Sequence, residues 1–285
     1  MIAAFVLFLR EGLEASLIVS ILFAALRQLG QTQHMRAVWT GVALAVLGSL
    51  VGGIVVYATV REFGNLSFEP IFEAATFLAA VVLLTTMTFW MQQHSRTLKK
   101  EITSKAATAG SGVALGLLAF TTVGREGIET AVFMVAFAFQ TNAVLLLLGA
   151  ALGLLAAVGL CVMIYRLGYR LDFRVFFRVM GILLLFFAAG LLGNAVHELQ
   201  EVGWLPIGTA HMWNSSALLS DETSNLGALL HGLIGYSAQP TVLQSICYLT
   251  YLAVAGWLFW RITRKPAAVD RAAPSTSSAA LPRHA

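Results

Sequence analysis

Charge is scarce in this chain: only 11% of its 285 residues are Asp, Glu, Lys or Arg, against about 25% in soluble domains. With 58% hydrophobic residues and a mean hydropathy of +0.80, that scarcity excludes a water-soluble globular protein and points to a polytopic membrane protein. Cysteine is rare as well. Cys161 and Cys247 lie in apolar runs without a CxxC pair or a Cys/His cluster nearby, so they read as apolar filler. No HExxH stretch occurs, which removes that metalloprotease chemistry. The first apolar run lacks a basic start and carries a triple charge in its middle, unlike a cleaved signal peptide.

What is present is a series of apolar runs long enough to span a bilayer, near 2–26, 37–60, 70–91, 112–139, 142–165, 175–198 and 241–262. The expected fold is therefore all-α, with seven transmembrane helices in one permease domain over 1–265 and a disordered tail, rich in Ala, Ser and Pro, over 266–285. Basic residues are missing from one side. Arg61 alone falls in the even-to-odd junctions, while every other Lys or Arg outside two internal motifs lies in the odd-to-even junctions or after the last span. The positive-inside rule then puts the N-terminus outside and the C-terminus in the cytoplasm.

The two exceptions are Arg10 and Arg125. They open two copies of one pentapeptide, Arg10-Glu11-Gly12-Leu13-Glu14 and Arg125-Glu126-Gly127-Ile128-Glu129, each inside an apolar span. Six charged side chains facing lipid at about 3 kcal/mol each would be prohibitive, so they must face a polar interior. Within each copy the glutamates are three residues apart and share a helix face, and the arginine is four residues from the second glutamate, within pairing reach. Gly12 and Gly127 remove a side chain beside the acids and let a helix or an ion approach.

The motifs mark an internal repeat, about 1–92 and about 112–198. Three spans per unit is an odd number, so the second unit is expected to insert inverted, giving the pseudo-two-fold architecture of transporters with substrate held at the repeat interface. Span seven, 241–262, is extra. Gly48, Gly52, Gly53, Gly149, Gly153, Gly190 and Gly193 are expected to serve close helix packing. The outer loop, 199–240, has no Lys or Arg, and with its approach holds Glu198, Glu201, Asp221 and Glu222, a mouth that attracts cations. Its 226–234 stretch is a candidate short interfacial or re-entrant helix.

Antiparallel placement of spans one and four would bring Glu11, Glu14, Glu126 and Glu129 together as metal ligands, supported by Arg10 and Arg125. Four carboxylates and two guanidiniums leave a net charge of −2 when ionised, a counterpart to a multivalent cation. All-oxygen ligands suit Fe³⁺, Fe²⁺, Mn²⁺, Mg²⁺ or Ca²⁺ alike. Without metal, crowded acids in a low dielectric are expected to hold protons, which metal displaces, making uptake pH-dependent. The structural alternative is a buried salt-bridge network that only fixes packing, but the uneven count of acids and bases speaks against it. Glu73, just inside the outer end of span three, and His197-Glu198, at the outer end of span six, form a candidate access path. Met87 and Met91 read as packing residues, and His34, His94, His211 and His231 receive no role beyond a weak metal contact. An intramembrane redox or haem protein is the alternative of another class, yet the near candidates for axial ligands, His94 and His197, fall on opposite sides of the membrane.

The doubled Arg-Glu-Gly-x-Glu motif resembles the high-affinity iron permeases, a family that includes oxidase-linked fungal permeases, the bacterial permease of the ferrous iron uptake system and a branch associated with lead. The resemblance runs to about residue 262 and includes Phe72-Glu73, Met87-Thr88-Phe89-Trp90-Met91, His197-Glu198 and Gly235-Tyr236 through Pro240. It implies iron transport with Glu11, Glu14, Glu126 and Glu129 as ligands, iron as cargo with no permanently bound cofactor, and a location in a bacterial inner membrane. It further implies an extracytoplasmic redox partner, either a multicopper oxidase or a periplasmic iron-binding protein with a haem peroxidase, and no nucleic acid partner. A carrier for lead or manganese is the alternative. One departure stands out: Asn214 occupies a loop position where the family has an aspartate.

Overall fold

Proline is kept out of the helix interiors. Apart from those in the 199–240 loop and beyond 264, the chain has only Pro70, and it sits in the first turn of a helix, where a missing N–H is harmless. The apolar runs between are uninterrupted. The computed structural model describes residues 1–63, 69–94, 98–140, 142–167, 173–216, 224, 227, 230–231 and 234–264. Among these residues are eight α-helices: α1 (Ile2–Gln28), α2 (Met35–Phe63), α3 (Glu69–His94), α4 (Leu98–Thr108), α5 (Gly112–Gln140), α6 (Ala143–Leu167), α7 (Phe173–Glu201) and α8 (Val242–Arg264). A 3₁₀ turn, Thr32–His34, leads into α2. The expected tail at 266–285 lies outside the described residues, as do Arg96, Arg170, Asp221 and Glu222. Of the 226–234 stretch, residues 227, 230, 231 and 234 are described, and all four are helical.

Five helices, α2, α3, α6, α7 and α8, are long and apolar enough to cross a membrane, which makes this a multi-pass membrane protein. The 27-residue α1 and the 29-residue α5 are equally long but carry the triple-charge motifs, and those charges are what set them apart in composition. Helix α4 was not expected from the basic stretch between spans three and four. Its physical basis is plain: Ile102 and Ala106, four apart, are buried against Leu22, Leu26, Val38 and Leu115, while Glu101 and Lys105 pair at 2.7 Å on the exposed face.

The largest helix contacts are α2 with α5, α1 with α6, and α3 with α7. Exchanging the triplet α1–α2–α3 for α5–α6–α7 maps that set onto itself. The motif glycines follow the same exchange: a Cβ on Gly12 of α1 would come 2.8 Å from Ala157 Cβ on α6, and one on Gly127 of α5 would overlap Ser49 of α2. Gly149 and Gly153 likewise admit the backbone of α1. Gly48 and Gly52, expected to pack, instead face open space. Gly235, with φ +68°, lies against Gly190, where a Cβ would come 2.6 Å from the Gly235 Cα; a side chain at either position would part the loop from α7. The main core, with Leu7, Phe77, Leu84, Phe133, Phe137 and Phe187, joins α1, α3, α5 and α7.

Candidate metal centre

The motif helices α1 and α5 touch, and their acids meet where they do. Carboxylate oxygens of Glu11, Glu126 and Glu129 all lie within 4.8 Å of one another. Each of these three residues also has one buried oxygen, Oε2, with no hydrogen-bond partner. Buried polar atoms in folded proteins nearly always have partners, so three orphaned oxygens in one cluster demand explanation. Glu14 stands outside this group of three.

The arginines set the geometry unequally. Arg10 is among the most deeply buried side chains in the protein; its Nη1 donates to Glu11 Oε1 at 2.8 Å, and its Nε lies 2.9 Å from Glu14 Oε1 as a charge contact rather than an aligned hydrogen bond. Arg125 donates from Nε to Glu129 Oε1 at 2.8 Å, but its side chain is 45% exposed and its Cζ lies 4.7 Å from the centre of the Trp90 ring. Glu126 takes part in no ion pair among the described residues. The arginine of the first motif is thus buried and shared between two carboxylates, while that of the second is half exposed.

An apolar cavity of about 520 Å³ between α1, α2, α5 and α6 reaches Glu11 and Glu126. Its walls, among them Val46, Leu50, Ile54 and Leu147, offer a dehydrating cation no ligands, so it is a poor ion route despite its size. Glu73, His197 and Glu198 are not part of the motif cluster. They line a separate cavity of about 250 Å³, together with His231, Asn194 and Gln244. His231 reads from the sequence as no more than a weak metal contact, and Trp90 is visible within the stretch closing span three, but nothing in the sequence ties it to Arg125. Met87 and Met91 are buried in packing, and Cys161 and Cys247 are free thiols. Asn214 accepts from the Ser216 amide at 3.1 Å, closing a tight turn of the outer loop.

The helices that enclose this charged centre are those of a multi-pass membrane protein, and the family they define is one of transporters rather than enzymes. The chain belongs to the Iron permease FTR1 family, whose profile matches residues 1–267. It is 35% identical over 276 residues to the "Ferrous iron permease EfeU" of Yersinia pestis, covering 94% of this chain and 96% of the relative. It is 36% identical over 272 residues to the protein of the same name from Yersinia pseudotuberculosis serotype I, covering 92% and 93%. To that of Escherichia coli O157:H7 it is 35% identical over 278 residues, covering 96% and 100%. No solved structure matches the chain.

Proposed function

We propose that this iron permease imports ferrous iron across a bacterial inner membrane, with Glu11, Glu126 and Glu129 as the ligands that hold the ion in transit and Glu14 tuning them through Arg10. The observation that carries this reading is the convergence of three carboxylates, each with an orphaned buried oxygen, on helices that are otherwise apolar. A hard, oxygen-binding cation would satisfy those oxygens. The ferrous form and the bacterial membrane follow the names and sources of the relatives.

The same reading takes α1 and α5 as spans, giving seven in all, with the N-terminus outside and the C-terminus in the cytoplasm. The exchange symmetry of the helix contacts and of Gly12 and Gly127 supports two inverted units of three helices, 1–92 and 112–198, with α8 added. Iron then arrives from outside, supplied by a redox partner such as a periplasmic iron-binding protein with a haem peroxidase, and leaves past Arg125 and Trp90. Radioactive iron uptake into proteoliposomes tests this, comparing wild type with Glu126→Gln and using Mn²⁺ and Pb²⁺ as competitors. Iron uptake that Glu126→Gln abolishes, and that tenfold Mn²⁺ or Pb²⁺ does not suppress, is the expected result. Uptake unchanged by the substitution overturns the site, and preferential uptake of Mn²⁺ or Pb²⁺ overturns the cargo.

A further inference from the structure

Away from the motif carboxylates, four parts of the fold contribute polar side chains to the 250 Å³ cavity. Glu73 comes from the first turns of α3, and Asn194, His197 and Glu198 from the last turns of α7. His231 comes from the helical part of the segment before α8, and Gln244 from the first turn of α8. Asn194, His197 and Glu198 follow the i, i+3, i+4 spacing that puts them on one helix face. The cavity thus collects two imidazoles and two carboxylates at one end of the bundle, the end assigned above to the outside.

The orientation of His231 is fixed by a backbone group. Its Nδ1 lies 2.8 Å from the Tyr236 carbonyl oxygen, which can only accept, so Nδ1 carries the proton and the lone pair of the neutral ring is on Nε2. Imidazoles that bind metals are held in this way, with one nitrogen anchored to a carbonyl or carboxylate and the other left basic. His197 is half exposed at the rim, its Nε2 3.4 Å from Glu201 Oε1 one turn on. The donors here do not converge to within 4.8 Å as the motif carboxylates do. The volume accounts for that difference: six waters at about 30 Å³ each occupy about 180 Å³, so the cavity admits a cation with its first hydration shell.

Aromatic rings line the inner part of this cavity and run into the core. Phe77, one turn along α3 from Glu73, meets Phe139 edge to face at 6.2 Å, and both rings line the cavity. Phe77 is packed in the core with Phe133 and Phe137, and Phe133 lies one turn along α5 from Glu129.

We propose that Glu73, His197, Glu198 and His231 form a second metal site, a loading station for a partly hydrated divalent transition-metal cation. Its imidazoles discriminate against Mg²⁺ and Ca²⁺ before the ion reaches an all-oxygen centre that cannot. Mixed imidazole and carboxylate donors suit Fe²⁺, Mn²⁺, Co²⁺ or Zn²⁺, whereas Mg²⁺ and Ca²⁺ favour oxygen alone. The inference rests on the permease reading for its purpose, but its binding test does not.

That test uses Co²⁺ and the full chain purified in nanodiscs. The variant Glu11→Gln/Glu126→Gln/Glu129→Gln removes the motif ligands and is expected to keep one Co²⁺, unaffected by millimolar Mg²⁺. Adding His231→Gln weakens that binding about tenfold or more, the usual effect of removing a metal ligand or its support. Adding Glu73→Gln, which leaves the His231 contact with Tyr236 intact, does the same and covers the case in which the His231 variant fails to fold. The proposal is overturned if the triple variant binds no Co²⁺, if Mg²⁺ displaces it, or if Glu73→Gln leaves the affinity within twofold. Retained Co²⁺ binding in a chain whose iron uptake survives Glu126→Gln would sink the permease site and leave this one standing.

Discussion

Arg125 lies over the ring of Trp90, its Cζ 4.7 Å from the ring centre, while its Nε holds Glu129 at 2.8 Å. One guanidinium thus ties a carboxylate of the proposed metal centre to the end of α3. Its counterpart Arg10 has no exposed face and spends its charge on Glu11 and Glu14. The two copies of one motif are therefore different devices, one with a buried arginine and one with a half-exposed arginine.

Trp90→Leu removes the aromatic face but not the ion pair. A cation–π contact at a partly exposed site contributes about 0.5–1 kcal/mol, so the equilibrium constant for the correct pose of Arg125 and Glu129 falls about two- to five-fold. Iron uptake in proteoliposomes should drop by up to that factor, with Trp90→Phe losing less. Uptake equal to wild type in Trp90→Leu would mean the ring only fills space.

Glu14 and Glu126 should fail in different ways. Replacing Glu14 by Gln strips one partner from a buried guanidinium, and breaking a buried ion pair costs about 3–5 kcal/mol, toward the low end here because Glu11 remains. Glu126 has no ion-pair partner to strand, and its removal relieves like charge. Thermal unfolding in detergent should therefore show Glu14→Gln melting lower and Glu126→Gln at or above wild type, while iron affinity falls most in Glu126→Gln. The reverse order of melting would contradict the assigned division of labour.

Much of this was legible in the chain. The spacing of Glu11 from Glu14 and of Glu126 from Glu129 fixes a shared face within each helix, because helical period is local. Which of the four acids meet depends on how α1 crosses α5, and no period within either helix encodes that. The buried Arg10 and the exposed Arg125 read identically in sequence for the same reason. Helix α4 was hidden because two apolar side chains, Ile102 and Ala106, carry it within a basic stretch. His231 stood no higher than three other histidines as a weak metal contact, since its neighbours at the cavity come from α3, α7 and α8.

Gly127→Ala should destabilise more than Gly12→Ala. A Cβ at 127 would overlap Ser49 Oγ and come 2.5 Å from its Cβ, whereas one at 12 would meet Ala157 Cβ at 2.8 Å. Overpacking costs about 1–3 kcal/mol, offset by about 1 kcal/mol of helix propensity. Ser49→Gly should rescue Gly127→Ala, and Ser49→Ala should not, because it keeps the Cβ. Melting temperatures of the single and double variants give the coupling directly; additive effects would show that α2 and α5 are not held this close.

The seven-span topology turns on α5, the helix whose charges make its crossing least obvious. In a chain cleared of Cys161 and Cys247, single cysteines replace Lys105 before α5, Asn142 after it and Trp204 after α7, all at exposed positions. If α5 crosses the membrane, a membrane-impermeant maleimide applied to right-side-out vesicles labels positions 142 and 204 but not 105, and inverted vesicles reverse the pattern. Positions 105 and 142 labelled from the same side would mean that α5 does not cross. The second motif would then have no membrane interior in which to hold iron. The opposite polarity, with all three reversed, would keep the carboxylate centre but move the Glu73 and His231 cavity to the cytoplasm, where it becomes an exit rather than a loading site.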